Sequence, residues 1–208
     1  MRCKDATLPI YSPIVKITTL TELPLKTETL HIFPSVRVSP AAIADAAPLA
    51  ALIQENAAYL GKFLPKVVTL SSVAACTGHL QYVIDAGEED ELFEWHIYAG
   101  DNLCGAIRLN KIEMGNHKAS IAYYIGENCQ GQGMASSSVR AVIGYCFKEL
   151  GFNRIELQCT STNLASQQVA KRLGFTWEGM LRQAELLDGA YVDLYVYGLL
   201  REDFLQQS

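Results

Sequence analysis

The stretch Cys129-Gln130-Gly131-Gln132-Gly133-Met134-Ala135 separates the apolar segment Lys118 to Ile125 from a stripe of Val139, Val142, Ile143, Cys146, Phe147 and Leu150. The three- and four-residue intervals of the stripe predict an amphipathic helix, and Gly151 is placed to end it. The segment before the loop reads as a strand. Two glycines strip Cβ atoms from the connection, so that its N–H groups can turn toward one point, and the helix adds its positive N-terminal end. Such a loop is an anion cradle. The other reading of an isolated Gly-x-Gly is a flexible strand-to-helix turn. The phosphate loop that needs Lys-Ser or Lys-Thr is excluded, because neither pair follows at the required spacing. The dinucleotide pattern Gly-x-Gly-x-x-Gly fails at Ser136, and no parallel strand–helix–strand unit with an acidic residue about twenty positions on is visible.

Upstream of the loop, Leu92 to Tyr98 and Leu103 to Leu109 read as strands around the turn Gly100-Asp101-Asn102. With Lys118 to Ile125, after a loop around Gly115 and Asn116, they make an antiparallel meander. Two helices are expected before them. The first has Asp45 as N-cap, Pro48 in its first turn and Leu49, Ile53, Ala57 and Leu60 on its apolar face, with Pro65 ending that region. Ser71 or Ser72 opens the second, which turns Val73, Cys76, Leu80 and Val83 inward. Val36 and Val38 suggest a short strand from Ser35 to Ser39, and the acidic run Glu88 to Glu91 reads as a solvated loop. Downstream, Arg154 to Cys159 alternates as a strand, Leu164 to Leu173 is a short helix closed by Gly174, and two strands flank Asp188-Gly189. The fold class is α/β (α+β), with a central mixed, mostly antiparallel twisted sheet flanked by helices. Residues 1–35 hold Pro9, Pro13, Pro24 and Pro34 without a sustained period and are expected to form an N-terminal extension to a domain over 36–206.

Composition narrows the function classes. The chain has 208 residues, of which 50% are hydrophobic and 19% charged, as suits one folded, soluble domain and not a disordered chain. Its net charge of −5 comes from 22 acidic and 17 basic residues without a dense Lys/Arg cluster, so no nucleic-acid partner is expected. No apolar run reaches the ~18 to 20 residues of a membrane-spanning helix and no secretion signal is visible, so a cytoplasmic location without membrane partners is expected. Cys3, Cys76, Cys104, Cys129, Cys146 and Cys159 are scattered without Cys-x-x-Cys, as expected of reduced thiols. Only Cys76 and His79 have a short ligand-like spacing, a common coincidence on helices, and no metal is expected.

The loop does fit Gln-x-x-Gly-x-Ala, at Gln130, Gly133 and Ala135. Behind it stand Asn163-x-x-Ser166, Leu173-Gly174-Phe175, Trp177-Glu178-Gly179, Arg182-x-x-Glu185 and Asp188-Gly189-x-Tyr191-x-Asp193. In this order the motifs resemble the GNAT acetyltransferases, and among them the branch that acetylates ribosomal proteins, the RimJ/RimL type. The resemblance covers Val36 to Phe204 and is densest from Ile121 onward. It departs at Ser120-Ile121-Ala122-Tyr123-Tyr124, where that branch usually has Glu-Ile-Gly-Tyr-Trp.

The resemblance implies the acyl-CoA N-acyltransferase fold, with acetyl-CoA as cosubstrate. It places the backbone from Gln130 through Gly131, Gln132, Gly133 and Met134 to Ala135 around the pyrophosphate. The strand before it, here Tyr123 to Ile125, splays to admit the pantetheine arm, with Tyr124 and Ile125 against the cofactor, and Asn163 helps to hold it. Ser166 is implied as the acid that protonates the departing thiolate, with Tyr191 as a second candidate, and Glu185 as the base that acts on the acceptor through water. The implied acceptor is a protein N-terminal α-amine. A small amine, such as a polyamine or aminoglycoside, would share every cofactor feature, and a CoA-binding module without catalysis is the reading from another class. A homodimer is left open.

The same residues have readings that need no ligand. Asn163 would cap the helix after it, Ser166 would face solvent in the first turn, and Glu185 could pair with Arg182 in an exposed ion pair worth only ~0 to 1 kcal/mol. Tyr123 and Tyr124 alternate across a strand, so one is expected in the core. Acyl transfer needs a neutral nitrogen, and an α-amine of pKa ~7.7 to 8.0 is already about a tenth neutral at pH 7, against fewer than roughly one lysine in a thousand. A single carboxylate relaying through water suits the α-amine. The leaving thiol, of pKa about 8.5, needs only a hydrogen bond or a shuttled proton. Direct attack in a ternary complex is therefore expected, and Cys129 is not expected to be a nucleophile.

Overall fold

The computed structural model describes residues 27–33 and 35–207, so the reading of residues 1–26 as an extended arm, with Cys3, lies outside the described residues. Strands β1 (Leu30–Phe33), β2 (Val36–Pro40), β3 (Phe93–Ala99), β4 (Asn102–Glu113) and β5 (Lys118–Ile125) pair antiparallel in succession. Helices α1 (Ala46–Glu55), α2 (Ala57–Leu60), α3 (Pro65–Val68) and α4 (Val73–Glu88) lie between β2 and β3. After β5 come α5 (Met134–Lys148), β6 (Arg154–Thr160), α6 (Leu164–Arg172), β7 (Thr176–Leu187), β8 (Ala190–Leu200) and α7 (Arg201–Gln206). All eight strands join one mixed sheet in the order β1-β2-β3-β4-β5-β6-β8-β7. Among the described residues no helix is long and apolar enough to cross a membrane.

Several elements differ from the sequence reading for physical reasons. Strands β5 and β6 run parallel around α5, a strand–helix–strand unit that periodicity does not reveal, since it carries no strand direction. The first helix stops at Asn56, and Pro65 opens α3 instead of ending the region, its missing N–H costing nothing at that position. Asp45 stands before α1 but its side chain does not cap that helix; it accepts the Ala42 N–H at 3.0 Å, at the start of the 3-10 turn Ile43–Asp45, and is engaged by His96 and Tyr98. In α4, Ser72 does cap, accepting the Ala75 N–H at 3.1 Å, whereas Val73 in the first turn is exposed. Neither the edge strand β1 nor the terminal helix α7 was expected.

Alternation along β3 divides the molecule into two packed faces. Phe93, Trp95 and Ile97 enter the main core with Val139, Ile143 and Phe147 of α5. On the opposite face Tyr98 packs with Leu49 and Ile53 of α1 and Leu80 of α4. Each fully buried aliphatic of this size contributes roughly 1.5 to 3 kcal/mol, so coverage on both sides holds the central strands rigidly. The second face also carries a buried polar set. His96, with no exposed surface, directs Nδ1 to Asp45 Oδ2 at 2.7 Å and Nε2 to Glu94 Oε1 at 3.3 Å. Arg108 Nε donates to Glu94 Oε2 at 2.8 Å, and the Tyr98 hydroxyl donates to Asp45 Oδ1 at 2.6 Å. Burial by itself would drive the Glu94 carboxyl up, but His79, His96 and Arg108 hold it well below the usual carboxylate range.

Candidate active site

The site begins where the sheet opens. Strands β5 and β6 pair from Lys118–Arg154 to Ile121–Leu157 and then part. Each stays paired on its outer side, β5 with β4 as far as Ile125–Gly105 and β6 with β8 as far as Thr160–Leu194. The wedge between them is the floor of a cleft of about 540 Å³. The phosphate-loop glycines and the start of α5 close one end, the first turns of α6 form a wall, and Tyr59, Leu60, Phe63 and Leu64 of α2 and its following turn face them.

The loop has the geometry that its glycines allow. Gly131 and Gly133 have φ of 77° and 73°, the left-handed region where any other residue is strained, and a Cβ at either would meet nothing within 4 Å. Gly133 is the N-cap of the fifteen-residue α5, and no side chain caps that end. The first-turn N–H groups are thus available beside open space, where the helix dipole favours an anion. The turn before the loop is anchored by Asn56 at the end of α1, whose Oδ1 accepts the Glu127 N–H at 2.8 Å. Arg172, at the end of α6, donates from Nη1 to Ser136 Oγ at 2.8 Å and is the one Lys or Arg among the residues lining the cleft. Sequence reasoning missed both Asn56 and Arg172. Only the position of Arg172 two residues before Gly174 could have suggested it.

Most of the predicted site residues meet in this cleft. Tyr124, Ile125, Gln130, Gly131, Gly133, Met134, Ala135, Asn163, Ser166 and Glu185 all line it. Gln132 and Tyr191 stand outside the lining, and Tyr191 is 68% exposed on the far part of the β7–β8 hairpin. Asn163 is an N-cap as well as a wall residue, its Oδ1 accepting the Ser166 N–H at 3.0 Å. Of the two tyrosines, Tyr124 packs toward the α1 and α4 face, while Tyr123 packs on the main core and donates its hydroxyl to Ser166 Oγ at 3.4 Å. Burial pushes the Tyr123 phenol up to about 12, against the opposite pull of the Ser166 hydrogen bond. Cys159, also on the wall, has its thiol raised by burial.

Glu185 reaches the cleft through an irregularity in β7. The β7–β8 register shifts between Leu181 and Glu185, where Gln183 takes φ 51° and its N–H is held by Asp193 Oδ1 at 2.8 Å. A bulge of this kind re-aims the side chains that follow it. Glu185 is the one carboxylate among the lining residues, and it forms no ion pair with Arg182 or any other described residue. Cys76 and His79 do not form a metal site: Cys76 Sγ donates to Leu70 O, His79 turns to Glu94, and among the described residues no cluster of three or more potential ligands is present.

The sheet thus parts beside an uncapped helix N-terminus, and Ser166 and Glu185 both line the cleft that results, a layout suited to an acyl-CoA-dependent transferase. The Acetyltransferase (GNAT) domain family matches residues 36–176, and the chain belongs to that family. It is 33% identical over 173 residues to the ribosomal-protein-serine acetyltransferase of Escherichia coli, covering 82% of this chain and 96% of that protein. The YdaF protein of Bacillus subtilis, a putative ribosomal N-acetyltransferase, is 34% identical over 166 residues, covering 77% and 88%. A solved RimL ribosomal L7/L12 α-N-protein acetyltransferase in complex with coenzyme A superposes with a TM-score of 0.80 at 28% identity, covering 83% of this chain and 98% of that one. The protein is accordingly a GNAT N-acetyltransferase that uses acetyl-CoA.

Proposed function

We propose that this enzyme acetylates the N-terminal α-amine of a protein, of the ribosomal-protein type, by direct attack on acetyl-CoA in a ternary complex. The observation that carries the reading is that, among the described residues, Glu185 is the one carboxylate that lines the cleft. A polyamine or aminoglycoside brings several positive charges and calls for an acidic groove, whereas one α-amine that is already about a tenth neutral at pH 7 needs one base. The relatives named as ribosomal-protein acetyltransferases support the same acceptor class.

In this reading the open face of Gly131 and Gly133 and the first turn of α5 hold the pyrophosphate, with Arg172 adding a cation beside Ser136. The pantetheine arm enters the wedge between β5 and β6, where the parted strands leave backbone groups of Tyr124 and Ile125 without a β6 partner. Asn163 fixes the first turn of α6 and with it Ser166. Glu185 takes the amine proton through water, the nitrogen attacks the thioester carbonyl, and Ser166 supplies a hydrogen bond or proton to the leaving sulfur.

The test is mass spectrometry with isotopically labelled acetyl-CoA against a panel of N-terminal peptides, polyamines and aminoglycosides. Label on peptide α-amines supports the reading. Label confined to the small amines overturns the acceptor assignment, and cofactor binding without label on any amine favours a non-catalytic module.

A further inference from the structure

We propose that Tyr123 is a positioning residue for Ser166, holding the serine hydroxyl so that its proton points into the cleft toward the departing sulfur. The inference rests on the reading of Ser166 as the acid. The Tyr123 hydroxyl donates to Ser166 Oγ at 3.4 Å, and a serine oxygen that accepts from one side keeps its own proton for another direction. Ser166 lines the cleft beside the parted wedge. A sulfur arriving in the wedge thus meets a hydroxyl turned to donate. Its main chain is fixed as well, through the 3.0 Å hydrogen bond from its N–H to Asn163 Oδ1. Both ends of the serine are therefore constrained before substrate binds, which removes part of the orientational cost of the proton transfer.

Tyr123 does not deliver the proton itself. Its hydroxyl proton is directed at Ser166 Oγ and away from the cleft, and burial, which pushes the phenol up to about 12, keeps that proton in place at neutral pH. The step balances without it. The C–S bond breaks with its electron pair on sulfur, and Ser166 passes its proton to that sulfur. The proton surrendered by the attacking nitrogen, carried by Glu185 and water, restores the serine. Tyr123 keeps its proton throughout.

The test is a double-mutant cycle with steady-state kinetics. Tyr123→Phe keeps the ring in the core and removes only the donor, so kcat is expected to fall about tenfold, the size of one hydrogen bond, with KM for acetyl-CoA near the unmodified value. In a Ser166→Ala background the same substitution is expected to cost no further rate. The cycle reads only the coupling, so any packing loss common to both backgrounds cancels. Additive losses, or full rate in Tyr123→Phe while Ser166→Ala is impaired, overturn the positioning role and leave Ser166 as the acid. Full rate in Ser166→Ala overturns both readings.

Discussion

Replacing His96 by Gln removes a ring held between the buried Glu94 and the partly buried Asp45 carboxylates. The ring has acceptors on both sides, Asp45 Oδ2 at 2.7 Å and Glu94 Oε1 at 3.3 Å, so both nitrogens must carry protons for both bonds to form. Burial alone would drive the His96 pKa down, but the two carboxylates reverse that and raise it above its ordinary value. Arg108 and protonated His96 then balance Asp45 and Glu94, with the side chains of His96 and Glu94 0% and 2% exposed. Removing one partner of a buried ion pair costs ~3 to 5 kcal/mol, and at about 2 to 4 °C per kcal/mol for this size of domain the melting temperature should fall by ~6 to 20 °C. The sign with pH follows from the direction of the shifts. A raised His pKa stabilises the fold fully below the unfolded value of about 6.5, and that contribution is lost as pH rises through the folded value. The lowered carboxylates, Asp45 and Glu94, act oppositely, contributing above about 4 and losing their contribution on acidification. Urea denaturation of both proteins across pH should therefore show a stability gap that is widest at mildly acidic pH and narrows toward alkaline pH. A gap that stays constant with pH, or nitrogen NMR showing the His96 ring losing its proton below the ordinary value of about 6.5, would refute the reasoning.

The active-site readings give three further outcomes. Glu185→Gln should lower turnover by about 10² to 10⁴ while acetyl-CoA affinity, measured by calorimetry, stays nearly intact; unchanged turnover removes Glu185 from the mechanism. Gly133→Val places a β-branched side chain at φ 73° in front of the cradle, so CoA binding should weaken strongly, and normal affinity would put the pyrophosphate elsewhere. Arg172→Ala should weaken CoA binding by about tenfold and make it less sensitive to salt, an effect that a purely structural contact with Ser136 would not produce.

The phosphate loop and the rest of the site were encoded differently, and that decided what could be read. The proposed phosphate cradle is made of main-chain N–H groups, so the sequence shows it as missing side chains at fixed spacing, Gly131 and Gly133 just before a strongly periodic helix. Capping is equally local, and Asn163 and Ser72 both stand three residues before the N–H that they accept. The rest of the site depends on juxtaposition over long separations. Tyr123 meets Ser166 across 43 residues, and Asn56 meets Glu127 across 71, distances over which no local pattern survives. Strand direction is likewise non-local, which is why the parallel pairing of β5 with β6, the feature that creates the wedge, was not visible although each element was. The register also bears on the Ser120-Ile121-Ala122-Tyr123-Tyr124 departure. Ser120, buried, lies directly beside the partly buried Glu156 on β6, itself already bound to Arg154, so a carboxylate at position 120 would face a second carboxylate, and serine avoids that repulsion. Ser120 stands outside the cleft lining, whereas Glu185 is brought to it by a bulge in β7, which no local pattern in the sequence announces.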